Sequence, residues 1–244
     1  MENNWRIWNK DDKVELRTYQ RAVGELPEME SAKQLVEIIK PLYKPETSIL
    51  DFGCAAGHYY NSVRRLNPNV NYMGADATKT YIAFANTYFK GTSAKFIEAD
   101  LFNEHVDFGS FDIVYCCNVI LHLPDFKTPF RTLINRSKKH VLVRTLISDS
   151  TLLSRYLYTD EFDDEGNPLN YVHQNTYSRS LLESYVKSLG DFKVSFIKDQ
   201  FDAEQINKEH KDFDTKIKGV TRVKDNMQIV GSLVFNWEWM LIEK

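Results

Sequence analysis

Apolar residues along this chain follow two alternating patterns, one typical of helices and one typical of buried strands. Residues 13–24 and 29–42 are predicted to form N-terminal helices, and Leu35, Ile39 and Leu42 recur at the helical period in the second. Beyond them, apolar runs alternate with amphipathic helices, and strands are predicted near residues 49–52, 72–76, 96–98, 111–117 and 140–147. This alternation predicts right-handed βαβ units and a parallel sheet.

The pattern changes after residue 147. Residues 148–177 are polar and aromatic and contain no clear strand. A helix is predicted to begin after Ser178, a suitable N-cap, and to end at Gly190. Strands near 192–200 and 229–242 are predicted to complete the sheet. Residues 202–226, rich in Lys and Asp, are predicted to be a surface insertion.

The most informative segment is residues 49–57, an apolar strand that runs into a turn of small side chains. Asp51, Gly53, Ala55 and Gly57 fall at alternate positions. Small residues there let the backbone approach a ligand closely. A helix is predicted to start just after Gly57, so that its unpaired N–H groups point into the same crevice. Open α/β sheets bind cofactors at such a turn.

This segment resembles the first motif of the Rossmann-like, class I S-adenosylmethionine-dependent methyltransferases, an acidic residue followed by glycines at alternate positions. Ala55 stands where the middle glycine is usual. Three later segments also resemble family motifs, and the resemblance covers roughly residues 30–147. It implies an α/β fold with a seven-stranded, mostly parallel sheet, helices on both faces and an antiparallel last strand within 234–242. It also implies S-adenosylmethionine as the cofactor.

The resemblance assigns parts of the cofactor to the strand ends. Asp76 ends the second strand, and a carboxylate there can accept two hydrogen bonds from the ribose hydroxyls. Asp100 is assigned to the adenine amino group. Asn118 follows the fourth strand, where an amide could bind the ammonium or the carboxylate of the methionine part. The predicted cofactor residues are Asp51, Gly53, Ala55, Gly57, Asp76, Ala77, Asp100, Leu101 and Asn118.

Two side chains of the first predicted helix offer a further cofactor contact. Tyr19 and Arg21 could close over the cofactor, with Arg21 pairing to its carboxylate. A solvated helix face is the competing interpretation, and the sequence favours it.

Methyl transfer from a sulfonium is an in-line displacement, so positioning of the reactants supplies most of the catalysis. A base helps when the acceptor is a hydroxyl or a protonated amine. His122 is the leading candidate base, because the resemblance places it near the methyl group and an imidazole pKa of about 6.5 suits proton acceptance. His173 and Tyr171 are second candidates, in a segment (148–190) that the resemblance assigns as a cap over the acceptor pocket. Ordinary loop packing is the alternative for all three.

Composition narrows the class of protein. The 244 residues suit a single domain, 1–244, and the net charge of −3 provides no basic field for nucleic acid. The three cysteines lack a Cys-x-x-Cys spacing, so no metal site is expected. The acidic residues at 160–165 are interpreted as a solvated loop rather than a metal site. No signal peptide and no membrane-spanning run is present, so a cytoplasmic protein is expected.

The leading hypothesis is methyl transfer to an oxygen or nitrogen of a small-molecule acceptor, since no basic tract is present and the cap is aromatic. One alternative is a non-catalytic subunit that binds S-adenosylmethionine and acts on a partner. A nicotinamide-dependent oxidoreductase fits less well, because its Gly-x-Gly-x-x-Gly fingerprint would need glycine where His58 stands. The oligomeric state and the acceptor are left open.

Overall fold

The computed structural model describes residues 12–200, 221–224, 227–230 and 233–244. Two helices come first, α1 (Asp12–Val23) and α2 (Glu30–Ile39), and a 3-10 turn, Lys40–Leu42, extends the second. Both predicted N-terminal helices are therefore confirmed. Helix α2 forms because its apolar residues lie on one side, where Leu35 and Ile39 are fully buried.

Strands and helices then alternate through the middle of the chain, as the apolar runs predict. The elements in order are β1 (Ser48–Phe52), α3 (Tyr60–Val63), β2 (Asn71–Asp76), α4 (Lys79–Tyr88), β3 (Lys95–Glu98), β4 (Phe111–Cys117), α5 (Lys127–Arg136) and β5 (Ser137–Ser148). All five residues of β1 are buried, as expected for a strand in the middle of a parallel sheet with both faces covered.

The remaining elements begin with short strands and end in the main sheet. They are β6 (Arg155–Leu157), β7 (Tyr171–His173), β8 (Thr176–Ser178), α6 (Arg179–Leu189), β9 (Lys193–Lys198), β10 (Thr221–Lys224), β11 (Met227–Val230), β12 (Leu233–Phe235) and β13 (Trp237–Glu243). Ser178 caps α6 as predicted, because its side chain accepts a hydrogen bond from the Leu181 N–H.

Seven strands form the main sheet in the order β3-β2-β1-β4-β5-β13-β9, and β8 pairs with the end of β5. Strand β13 runs antiparallel to both of its neighbours, and the pairs among the other six strands are parallel. The mostly parallel, seven-stranded α/β sheet with an antiparallel last strand is thus confirmed. Strand order reverses between β1 and β4, and a crevice opens at the carboxyl ends of strands at such a point.

The sheet separates two apolar cores. Neighbouring β1 residues point to opposite faces, so Ile49 belongs to the core under α2 and α4, whereas Leu50 belongs to the core under α5 and α6. Trp239 of β13 is fully buried in the first core, and its indole N–H donates to Gln34 of α2 over 2.9 Å. The N-terminal helices are therefore tied to the last strand.

Three details differ from the sequence-based expectations. Helix α3 is a single turn that begins at Tyr60, because residues 64–66 continue as turns rather than as helix. Residues 148–177 contain three short strands; β6 and β7 pair with each other, and β8 joins β5. The region 229–242 is divided, since β10, β11 and β12 form a separate small sheet. Most of the predicted insertion at 202–226 lies outside the described residues.

No helix in the described part of the chain is both long and apolar enough to cross a membrane. Within the same ranges, no group of three or more His, Cys, Asp or Glu side chains is arranged to hold a metal ion. The three cysteines are buried and free. A cytoplasmic location stays a prediction of the sequence.

Gly57 and Gly91 allow a matched test of packing behind the β1 turn. Both have positive φ, +80° and +87°, but a Cβ on Gly57 would lie 2.6 Å from Cε1 of Phe96, whereas one on Gly91 would meet no atom within 4 Å. We expect Gly91→Ala to lower the free energy of unfolding by about 1–2 kcal/mol through left-handed strain. Gly57→Ala should cost roughly 1–3 kcal/mol more through overpacking. Urea denaturation measures both, and equal losses would contradict the packing account.

Candidate active site

A cavity of about 330 Å³ lies at the carboxyl ends of β1, β2 and β4, where the strand order reverses. Helix α1 also lines it through Val14, Thr18 and Arg21. Its volume falls within the range of small-molecule and cofactor sites. Eight of the nine predicted cofactor residues line it, and these are Asp51, Gly53, Ala55, Asp76, Ala77, Asp100, Leu101 and Asn118. Gly57 lies behind the turn, against the ring of Phe96, and does not line the cavity.

The turn after β1 is left-handed at alternate residues. Gly53, Ala55 and Gly57 have φ values of +87°, +47° and +80°. Ala55 is held there by Asp76, whose Oδ2 accepts the Ala55 N–H over 2.8 Å. The same carboxylate accepts the Thr78 N–H through Oδ1, also over 2.8 Å. Charge-assisted bonds of this kind offset the cost, about 1–2 kcal/mol, of placing an L-residue in that conformation.

Two carboxyl groups of the cavity lie in surroundings that disfavour a negative charge. Asp51 is only 2% exposed, and burial raises its pKa to about 7, although the Tyr72 hydroxyl donates to its Oδ2 over 2.7 Å and opposes the shift. Burial also raises the pKa of Asp76, against the effect of its two backbone N–H donors. A cationic ligand beside these groups would stabilise their ionised forms.

His122 lies on the 3-10 turn (Ile120–His122) that follows β4, and it lines the cavity. Its Nδ1 is 3.0 Å from the carbonyl oxygen of His173. A carbonyl only accepts hydrogen bonds, so Nδ1 carries the proton and Nε2 is the basic nitrogen. Burial lowers the pKa of His122 to about 4, against the effect of that carbonyl. The imidazole is therefore neutral at neutral pH.

His173 and Tyr171, the second candidate bases, do not line the cavity. They belong to β7, which pairs with β6 away from the sheet, and the Tyr171 ring packs 4.8 Å from the guanidinium of Arg155. The backbone carbonyl of His173 contacts His122 at the edge of the site. Asn175, which sequence reasoning did not select, is 1% exposed and donates from its side chain to the Leu123 carbonyl over 2.9 Å. It connects the 148–178 segment to the turn that bears His122.

The N-terminal helix brings one of its two candidate residues to the site. Arg21 lines the cavity, whereas Tyr19 stacks on Phe84 of α4 with ring centroids 4.2 Å apart. His58, which sequence reasoning did not select for this site, also lines the cavity, and its buried Nδ1 has no hydrogen-bond partner among the described residues. Burial and the nearby Arg21 lower the pKa of His58 to about 3. A buried nitrogen without a partner is available for a hydrogen bond to a polar group of a ligand.

The acidic residues at 160–165 form a hydrogen-bonded turn. Asp163 accepts the backbone N–H groups of Glu165 and Asn167 over 3.0 and 2.8 Å. Its side chain therefore closes the turn, in agreement with the interpretation as an exposed loop.

Known proteins similar to this chain are methyltransferases. A family model described as "Methyltransferase domain" matches residues 50–140. Phosphoethanolamine N-methyltransferase 1 of Arabidopsis thaliana is 30% identical over 167 residues, which are 67% of this chain and 31% of that protein. Phosphoethanolamine N-methyltransferase 3 of the same plant is 30% identical over 121 residues, 24% of its length. The matched regions thus span a third or less of these curated relatives.

Solved structures show the same fold. A magnesium protoporphyrin IX methyltransferase from Synechocystis, with bound S-adenosylhomocysteine, superposes with a TM-score of 0.60 at 10% identity, covering 99% of this chain and 100% of that one. An S-adenosylmethionine-dependent methyltransferase from Clostridium acetobutylicum superposes with a TM-score of 0.57 at 14% identity, covering 93% and 96%. Residues 50–140 belong to this methyltransferase domain family, and the fold is that of the class I S-adenosylmethionine-dependent methyltransferases.

The expectations of a methyltransferase and of S-adenosylmethionine as its cofactor are thereby confirmed. The comparisons also decide against the nicotinamide hypothesis. The cavity of this methyltransferase fits the cofactor chemically, because its buried carboxyl groups suit hydroxyl, ammonium and sulfonium groups, and its unpartnered His58 nitrogen suits a polar end.

The raised pKa of Asp51 predicts a pH-dependent stability. An acid with a folded pKa of about 7 and an unfolded value near 3.8 binds more protons in the native state between these values. The stability of the native methyltransferase should therefore fall as the pH rises through that window. Asp51→Asn removes this titration. The free energy of unfolding of the variant, relative to that of the native protein, should therefore rise by about 1–4 kcal/mol from pH ~4 to pH ~8.

Urea denaturation at both pH values measures the difference. Asp107→Asn is the control, because Asp107 is 84% exposed and its lowered pKa places its titration below the window. If the free energy of unfolding changes with pH by the same amount in Asp51→Asn, in Asp107→Asn and in the native protein, the raised pKa of Asp51 is wrong.

Proposed function

We propose that this methyltransferase transfers the methyl group of S-adenosylmethionine to an amine nitrogen of a small molecule. The observation that supports it most is that one cavity is lined both by the strand-end carboxyl groups and by the neutral imidazole of His122. The two Arabidopsis relatives are named for N-methylation of phosphoethanolamine, which favours nitrogen over oxygen.

The cavity suggests how the chain holds the cofactor. Asp100 would accept the adenine amino group, and Asp76 would accept the ribose hydroxyls at the end of β2. Asp51 would face the ammonium group, where a positive charge stabilises its ionised form. This order directs the sulfonium toward the end of β4. Val119 and His122 line the cavity on that side.

When bound, the cofactor supplies an electrophilic methyl on a positively charged sulfur, which leaves as a neutral thioether. His122 then has two tasks. Its Nε2 would accept the proton that an ammonium acceptor must lose before its nitrogen lone pair can attack. This role requires the bound ligands to raise the pKa of the imidazole above the value of about 4 that burial gives it. Its Nδ1–H, bonded to the His173 carbonyl, fixes the plane of the ring. The 148–190 segment is proposed to cover the acceptor, and the Asn175 bonds that join it to the His122 turn support this role.

His122→Gln tests the proposed base. It keeps a polar side chain of similar length but has no basic nitrogen, so kcat should fall about 10²-fold or more, the usual contribution of a positioned base. The dissociation constant of S-adenosylhomocysteine should stay within about twofold, because the imidazole acts on the acceptor. Steady-state kinetics and calorimetry measure the two quantities. Equal losses in both would assign His122 to cofactor binding instead.

Turnover with defined acceptors tests the function itself. The protein is incubated with S-adenosylmethionine and ethanolamine, phosphoethanolamine, a catechol or transfer RNA, and S-adenosylhomocysteine formation and product mass are recorded. We expect methylated product with an amine and none with the nucleic acid. Methylation of the catechol alone would mean that the acceptor atom is an oxygen rather than a nitrogen. Cofactor binding without turnover on any acceptor would favour the non-catalytic subunit.

A further inference from the structure

A buried ion pair lies directly behind the cavity. Arg144 of β5 and Asp199, which follows β9, have side chains only 7% and 5% exposed. Two hydrogen bonds of 2.8 and 2.7 Å join the guanidinium to the two carboxylate oxygens. The ring of Trp237 packs on the guanidinium, 4.3 Å from its central carbon. Two-point pairing and ring stacking fix the guanidinium plane.

The third guanidinium nitrogen of Arg144, Nη1, is directed toward Asn118 at the cavity. Its Nη1 donates to the side-chain oxygen of Asn118. A guanidinium has only donors, so the atom that faces it is the amide oxygen and the orientation of the amide is determined. The Cys117 thiol also lies 3.7 Å from that oxygen.

The backbone of Asn118 is held as well. Its N–H donates to the Arg144 carbonyl over 3.0 Å, and its φ of +62° is in the left-handed region, which asparagine tolerates better than most residues. With the amide oxygen occupied and the backbone fixed, the amide NH₂ is the group that Asn118 has for the cavity that it lines.

We propose that the Asn118 amide binds the carboxylate of the cofactor's methionine part, and that Arg144 and Asp199 are positioning residues that act through this amide. The inference rests on the proposed placement of the cofactor. An NH₂ group donates and does not accept, so it pairs with a carboxylate and opposes an ammonium. Asp51, on the same cavity, is the acceptor suited to the ammonium.

The sequence contains a signal for this arrangement. Arg144 interrupts the apolar run of β5 at a position that is 6% exposed. A charged side chain at such a position requires a buried partner. Asp199 neutralises the guanidinium, so Arg144 contributes orientation to Asn118 rather than a direct charge to the ligand. The consequence is selectivity between S-adenosylmethionine and its decarboxylated form, which lacks only the carboxylate.

Calorimetry with these two ligands tests the proposal. The quantity compared between variants is the ratio of dissociation constants, that of the decarboxylated form divided by that of S-adenosylmethionine. The native protein should bind the decarboxylated form at least about tenfold more weakly, as expected for loss of a hydrogen bond to a charged group. Asn118→Asp keeps the size and the acceptor for Arg144 but replaces the donor by a carboxylate, so the ratio should fall to about one or below. Asn69→Asp adds the same charge at an exposed position just before β2, at the end of the strand opposite to the cavity, and should leave the ratio unchanged.

Asp199→Asn tests the positioning role. It should lower the ratio severalfold in the native background and have no effect on the ratio once Asn118 is replaced by Ala, because Asp199 acts only through that amide. If Asp199→Asn does not fold, Arg144→Lys gives the same test by removing the two-point pairing while keeping the charge.

Two results would overturn the inference. In the first, Asn118→Asp binds both ligands with the dissociation constants of the native protein. In the second, Asn118→Asp raises both dissociation constants by the same factor, which would mean a structural role for Asn118. Failure of the native protein to bind either ligand would instead overturn the proposed function, so the two failures are distinguishable.

Discussion

The carboxylate of Asp76 holds the turn that follows β1, and the shape of the cavity depends on that contact. One side chain accepts the N–H groups of Ala55 and Thr78, and so joins the end of β1, the end of β2 and the start of α4. Ala55 stands where the family usually has glycine, and its left-handed backbone is compatible with a methyl side chain because this anchor supports it. The strand ends are thereby kept open to a ligand.

The cavity is lined by buried polar groups of two kinds, carboxyl groups and imidazoles. Burial raises the pKa values of Asp51 and Asp76, whereas it lowers those of His58 and His122. A ligand with a cationic centre, hydroxyl groups and an anionic end would satisfy both kinds of group, and S-adenosylmethionine has all three. Behind the cavity, the opposite charges of Arg144 and Asp199 compensate each other in the protein core.

The sequence predicted those parts of the fold that local pattern controls. Strands β1, β2, β4 and β5 are apolar runs that end at small or polar residues, and such runs identify central strands without knowledge of their partners. The three-residue strands β6, β7 and β8 were missed because their stability comes from pairing across the 148–178 segment. Helix α3 was predicted too long because the spacing of Tyr60, Val63 and Leu66 suggested more helical turns than tertiary packing allows.

The candidate site shows the same division. Residues at strand ends could be placed in the cavity from the motif alone, whereas His173 and Tyr171 could not be excluded from it without the position of β7. The charged Arg144 within the apolar run of β5 indicates that a buried partner is needed, but its partners Asn118 and Asp199 are far apart in sequence and are identified by the structure. The most direct test of the whole account is a crystal structure with S-adenosylhomocysteine. We predict the ligand between the ends of β1 and β4, with its ribose hydroxyls bonded to Asp76. A ligand bound elsewhere, with this cavity closed by side chains, would contradict the account.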